Sequence, residues 1–198
     1  GERFLREQLN SLVAQSYKNL EIIIVDDAST DLTTSILQEY QSQYNFIKVY
    51  FNDVNIGFNE NFKKAVNLCK GTYIAISDQD DIWLPQKIEQ LIGKIGNNLL
   101  LYHDSIFIDE TGKSLNIKTS THHRFAYGNC SVSFLYFNCV SGHASVFHKD
   151  LAAALEYRPA DMYYDWWLAY SAACSSKIAF LDEILVKHRK HGDSSTTK

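Results

Sequence analysis

The run Ser77-Asp78-Gln79-Asp80-Asp81 places three carboxylates within four residues, directly behind the apolar run Tyr73-Ile74-Ala75-Ile76. An apolar run of that length reads as a buried strand. The acids then emerge at its carboxyl end, where open α/β sheets bind ligands. Carboxylates crowded at one strand end repel one another and call for a cation, and hard oxygen ligands select Mg²⁺ or Mn²⁺. The alternative is a solvated acidic turn that caps a helix beginning near Pro85. A second acidic run, Asp26-Asp27-Ala28-Ser29-Thr30-Asp31, follows the apolar stretch Ile22-Ile23-Ile24-Val25. If the two strands are parallel neighbours, both acidic ends share one crevice. An Asp there can accept hydrogen bonds from a base N–H or a ribose hydroxyl. Here the alternative is an Asx-turn leading into a helix cap.

The elements that must position these acids follow from periodicity. Glu2 to Ser16 carries Phe4, Leu5, Leu9, Leu12 and Val13 at helical spacing. Next come a strand over Glu21–Val25, a helix over Leu32–Tyr44, a strand over Ile47–Phe51, a helix over Phe58–Cys69, the strand ending at Ser77 and a helix after Pro85. This alternation predicts parallel βαβ units in a doubly wound sheet. From Leu99 the pattern turns mixed. Leu99–Tyr102 and Ser105–Asp109 read as strands, Glu110–Lys113 as a hairpin turn, Asn116–Asn129 as an exposed loop and Ser141–His148 as a strand. A helix opening at Asp165 and strands over Ile178–Leu181 and Ile184–Lys187 complete the chain.

The chain has 198 residues, 45% of them hydrophobic and 21% charged, as in an ordinary globular protein, and it is read as one domain. Nineteen basic against twenty-three acidic residues, with no long basic run, argue against a nucleic-acid footprint. Cys69, Cys130, Cys139 and Cys174 lie far apart with no Cys-x-x-Cys pair, which speaks for reduced thiols in a cytoplasmic setting rather than a disulfide framework. No apolar stretch is long enough to span a bilayer. Association with the inner face of the plasma membrane would come through parts outside this chain.

Val25-Asp26-Asp27-Ala28-Ser29-Thr30-Asp31, Asn55-Ile56-Gly57 and Ser77-Asp78-Gln79-Asp80-Asp81-Ile82-Trp83-Leu84-Pro85 occur in that order. They are followed by Val140-Ser141-Gly142-His143, Asp165-Trp166-Trp167 and His188-Arg189-Lys190-His191-Gly192. Together they resemble the family-two glycosyltransferases, and within them the bacterial rhamnosyltransferase-like enzymes of surface polysaccharide synthesis. The resemblance implies the GT-A fold, an α/β Rossmann-like nucleotide-diphospho-sugar transferase fold with a mostly parallel central sheet and a mixed C-terminal half. Residues 1–98 would bind the nucleotide sugar and residues 99–198 the acceptor. It further implies an inverting transfer from a nucleotide-sugar donor, dTDP-rhamnose or a UDP-sugar, to a saccharide or lipid-linked saccharide acceptor, with Mn²⁺ or Mg²⁺.

By the same resemblance Asp27 contacts the nucleotide base, Asn55, Gly57, Asn59 and Asn61 line the nucleotide site, Asp80 holds the cation with Asp78 as its neighbour on the nucleotide, and Asp165 is the general base. The neighbouring Tyr163, Tyr164, Trp166 and Trp167 would desolvate Asp165 and raise its pKa. The alternative is that Asp165 only caps its helix. His191 is a further metal ligand by resemblance, and a neutral imidazole suits Mn²⁺ better than Mg²⁺. Arg189 and Lys190 would screen the diphosphate, unless this segment is a solvated basic tail. Gly142, His143, Trp166 and Trp167 border the acceptor. His143 departs from the family pattern, in which the Gly precedes a small residue or Cys, and a hydrogen-bonded strand histidine is its alternative. His103, His122, His123 and His148 are assigned no chemistry.

Family members begin with an apolar strand, and this chain starts at Gly1-Glu2-Arg3-Phe4, just past the corresponding point. The expectation is therefore a fragment of a longer protein with an uncovered sheet edge. Two competing functions remain at this stage. One is a haloacid-dehalogenase-like phosphatase, with Asp78 as nucleophile. The other is a non-catalytic domain that binds nucleotide sugar or carbohydrate.

Overall fold

The computed structural model describes residues 1–192. Helix α1 (Glu2–Val13) buries Leu5, Leu9 and Leu12. Leu5 and Leu9 pack on Ile36, Leu37 and Tyr40 of α2 (Thr33–Gln43) and on Ile47 of strand β2 (Ile47–Phe51). The i, i+4 spacing of Leu5 and Leu9 puts them on one helix face, as amphipathic packing requires. Strand β1 (Ile22–Asp26) pairs in parallel with β2, from Ile22 opposite Ile47 to Asp26 opposite Phe51. These two strands and their α2 crossover form the first βαβ unit that the alternation predicts.

The next strand departs from the expected arrangement. β3 (Tyr73–Ala75), reached through α3 (Phe58–Leu68), pairs antiparallel with β7 (Ser145–His148) rather than with β1. It is the end strand of a second sheet ordered β3-β7-β5-β8-β4, with β6 (Ser114–Lys118) also on β5. In that sheet only β5 (Leu100–Ile108) and β8 (Ile178–Arg189) run parallel; β4 (Ile82–Trp83) is antiparallel to β8. Periodicity identifies a strand but not its partner, which is chosen by long-range burial such as Ile74 against Phe147. β1 and β3 instead face a common cavity of about 1310 Å³, lined by Ile22–Val25 on one side and Tyr73–Ile76 on the other.

Two pairs of short strands read from sequence are each one long strand. In β8, Leu181 pairs with His103 and Ile184 with Asp104, so Asp182 and Glu183 are looped out of register into solvent. A bulge of this kind breaks the apolar pattern without ending the strand. In β5 the interruption is polar but buried: Asp104 accepts hydrogen bonds from Ser105 N–H at 2.8 Å and Ser120 N–H at 3.1 Å, and from the Ser120 hydroxyl. Two other segments differ from expectation. Gly142–Ala144 form a 3₁₀ turn ahead of β7, and the loop read over Asn116–Asn129 begins inside β6 and includes a 3₁₀ turn at Thr119–Thr121.

Helix α4 (Lys87–Lys94) follows Pro85 as predicted. Helix α5 (Tyr164–Cys174) lies on the large sheet through Leu168, Ala169, Ala172 and Ala173. The three alanines are essentially buried, which lets the helix axis approach the sheet closely. Its N-cap is Tyr163, so Asp165 lies inside the first turn and does not cap it.

Candidate active site

The cavity between β1 and β3 collects most of the residues singled out above. Asp27, Asn55 and Asn61 line it from the β1 side. Asp78, Asp80 and His191 line it from the ends of β3 and β8, and Gly142, His143 and Asp165 close it from β7 and α5. Trp166 and Trp167 are not among its lining residues. The Trp166 indole donates to the Phe134 carbonyl at 2.7 Å and the Trp167 indole to the Ala154 carbonyl at 2.6 Å, so each ring fastens α5 to a neighbouring 3₁₀ segment.

At the end of β1 the chain turns through Ala28, whose φ of 59° is left-handed. This turn presents Asp27 to the loop before α3. Asp27 Oδ1 accepts from Asn52 Nδ2 and from Ile56 N–H, both at 2.8 Å, and Oδ2 accepts from Gly57 N–H at 2.9 Å. Burial pushes its pKa up, but these donors outweigh it and hold the carboxylate below its ordinary range. Gly57 adopts φ 82°, ψ 155°, a conformation open essentially to glycine alone, and this aims its N–H at Asp27. Asn55 donates to the Asp27 carbonyl at 3.2 Å and Asn61 to the Val25 carbonyl at 2.8 Å, so both amides brace the loop. Asn59 accepts from Tyr164 N–H at 3.1 Å and ties α3 to the start of α5.

Across the cavity, Asp80 Oδ2 and His191 Nε2 lie 2.7 Å apart, and His191 Nδ1 is buried with no hydrogen-bond partner among the described residues. A carboxylate and an imidazole converging on a cleft are a donor set that fits Mn²⁺ better than Mg²⁺. Behind them Asp81 is fully buried. Its Oδ1 accepts from Arg189 N–H at 3.0 Å, and burial pushes its pKa up to about 7 against the opposing pull of His143. His143 Nδ1 lies 3.5 Å from both Asp78 Oδ2 and Asp81 Oδ2. Burial alone would lower the His143 pKa, yet Asp81 and Asp78 raise it; the Asp78 carboxyl, whose burial works upward, is held down by the same imidazole. His188, its ring centroid 4.4 Å from that of His143, is pushed down to about 3 by burial and by the His143 charge.

Arg189 is not available to a diphosphate. It is 1% exposed, and its guanidinium donates to the carbonyls of Asp80, Asp109 and Glu110 and pairs with Glu7. Lys190 lies 4.5 Å over the Phe107 ring. The segment His188–Arg189 is the end of a buried strand, not a solvated tail, because the β8 pairing with β5 carries it inside. Lys87, also fully buried, donates to the His143 carbonyl and lies 3.5 Å from the centroid of the Trp83 ring; burial drives its pKa well below the lysine range. Sequence reasoning gave no role to Lys87, and none individually to Asp81 or His188. The acidic run and the basic segment did contain the last two, but nothing in the sequence shows that they meet.

Asp165 is pushed by burial to about 6, even though the amides of Trp166, at 2.7 Å, and Gly142, at 3.2 Å, each donate to its carboxylate. Gly142 approaches so closely that a Cβ added there would lie 2.2 Å from the Tyr164 hydroxyl oxygen. The absence of a side chain at 142 is therefore what lets the 3₁₀ turn deliver its N–H to Asp165.

A family model described as glycosyl transferase family 2 matches residues 1–155. An uncharacterized glycosyltransferase of Methanocaldococcus jannaschii is 31% identical over 95% of this chain and 66% of its own length, and one of Haemophilus influenzae is 28% identical over all of this chain and 64% of its own length. The chain thus spans just under two thirds of these relatives. Among solved structures, residues 1–349 of Staphylococcus aureus TarS in complex with UDP-GlcNAc superpose with a TM-score of 0.75 at 18% identity, covering all of this chain and 58% of that fragment. The Pyrobaculum calidifontis mannosyltransferase PcManGT in complex with GDP-Man and Mn²⁺ gives 0.70 at 15% identity, covering 98% of this chain and 55% of its own. These likenesses show the GT-A fold. The matched residues take in both acidic strand ends and the Gly142 turn, and the chain belongs to glycosyl transferase family 2.

Proposed function

We propose that the chain carries the donor site and general base of an inverting, metal-dependent glycosyltransferase, which moves a sugar from a nucleotide-diphospho-sugar to a saccharide or lipid-linked saccharide acceptor in bacterial surface polysaccharide synthesis. The observation that carries this reading is the meeting of Asp27, Asp80 and Asp165 on one cavity. Asp27 offers a braced, ionised acceptor to a base N–H. Asp165 lines that cleft, half-buried and with its pKa raised to about 6, and takes the proton of the acceptor hydroxyl as its oxygen attacks the anomeric carbon. The C–O bond to the diphosphate breaks on the opposite face, so one displacement inverts the anomer. Positive charge developing on the sugar is stabilised by the same carboxylate once ionised. Asp80 and His191 are the residues that would hold a divalent cation, which when bound supplies charge neutralisation to the departing nucleoside diphosphate. Gly142 and His143 border the acceptor side.

dTDP-rhamnose or a UDP-sugar is the donor proposed; the two superposing enzymes are complexed with UDP-GlcNAc and GDP-Man. The test is thermal unfolding with UDP, dTDP and GDP, each with and without Mn²⁺, followed by transfer assays with the matching nucleotide sugars. A ligand at a hundred times its Kd stabilises by about 2.7 kcal/mol, enough to read directly. One nucleotide giving a Mn²⁺-dependent shift, with transfer, supports the reading. Binding without transfer would mark a non-catalytic binding domain, and phosphate trapped on Asp78 would mark a phosphatase.

A further inference from the structure

Deep in the cleft, the Asp81, His143 and His188 side chains bring one potential ligand atom each to within 4.8 Å of one another. The His143 ring is 4% exposed and Asp81 not at all. Asp81 Oδ2 is wholly buried and has no hydrogen-bond partner among the described residues. His143 Nδ1 lies 3.5 Å from Asp81 Oδ2 and 3.5 Å from Asp78 Oδ2. That is too long for an N–H···O bond, which runs about 2.7–3.2 Å. It is, however, close to the edge of a ligand tetrahedron: metal–ligand bonds of about 2.1 Å at tetrahedral angles place neighbouring donors about 3.4 Å apart. Nε2 of the same ring lies 3.2 Å from the Ser105 hydroxyl, the outer partner that commonly orients a ligating imidazole.

We propose that Asp81, His143 and His188 form a second cation site, which takes a Zn²⁺-class ion with its fourth position open to the cavity and is distinct from the Asp80–His191 pair. Two imidazoles and one carboxylate match a borderline-soft ion better than Mg²⁺. It would pin the acidic turn, the 3₁₀ turn and the end of β8 together. That fixes both Asp80, one residue from Asp81, and Gly142, whose N–H holds Asp165. The crowding of Asp78 and Asp81 around one imidazole, each 3.5 Å from Nδ1, is relieved by a bound cation.

The test separates this site from the cleft by using the Asp80→Ala, His191→Ala protein, stripped with chelator and titrated with Zn²⁺ for metal content and with Co²⁺ for its visible spectrum. The expected result is one retained equivalent and the intense visible bands of four-coordinate Co²⁺. Both should be lost on adding His188→Phe or, with the Arg189 N–H still accepted, Asp81→Asn, each checked for folding by circular dichroism. If His188→Phe fails to fold, Asp81→Asn decides. No retained metal in the Asp80→Ala, His191→Ala protein, weak six-coordinate bands, or bands unchanged by Asp81→Asn would overturn the proposal. None of these outcomes depends on transfer activity, so the donor-site reading stands or falls separately.

Discussion

The two acidic strand ends have nearly the same composition and opposite electrostatics. At the end of β1 the Asp27 carboxylate is braced by Asn52 and by the amides of Ile56 and Gly57, which keep it ionised and leave room for one further donor. At the end of β3 the carboxylates meet imidazoles and burial, with the Arg189 amide on one oxygen of Asp81, and Asp81 is pushed up to about 7. One end is a rigid acceptor whose charge is already balanced. The other holds charge that a cation or proton must balance. The difference comes from what surrounds each acid: a loop with free N–H groups around Asp27, and the interior of a sheet around Asp81.

The comparison can be broken most severely through Asp165, which belongs to the second kind. Asp165→Asn is expected to cut kcat by roughly 10²–10⁴-fold, the usual worth of a general base, while donor affinity stays within a few-fold; transfer kinetics alongside donor calorimetry check it, and normal turnover would refute the assignment. The same carboxyl sets a pH profile. It must be ionised to act, so kcat/KM should fall as pH drops below about 6 and level off above. Asp80→Ala should come next, removing the Mn²⁺-dependent part of donor binding by about a hundredfold, or ~2.7 kcal/mol. Manganese titrations matching wild type would place the cation elsewhere.

Smaller effects sharpen the contrast on the rigid side. Asp27→Asn puts an NH₂ group against donors that now meet oxygen, and losing one such hydrogen bond at this half-exposed carboxylate should cost about 1 kcal/mol; urea unfolding should show that loss even without nucleotide. Gly142→Ala forces a Cβ into the Tyr164 hydroxyl and should cost about 1–3 kcal/mol, as overpacking does. Adding Tyr164→Phe removes the nearest clashing atom and should recover part of it. An undiminished penalty in the double variant would mean that the turn, rather than the phenol, resists the side chain.

Most of the elements, and the family, were legible in the residues. Apolar periodicity located α1 to α4, β1 and β2 within a few residues, because a buried face imposes its period on the chain locally. The acids at strand ends were legible because titratable residues directly after apolar runs have few local reasons to be there, and Asp165 was legible through the resemblance to the family. Only the tertiary structure decided that β3 pairs with β7 rather than β1, and that Asp182 and Glu183 bulge out of one long β8. It alone turned Arg189 inward and brought His143 and His188 to Asp81. These are contacts between residues from about forty to more than a hundred positions apart in the chain. The pattern of a segment states which face must be buried, while the partner that buries it is chosen by the whole chain at once.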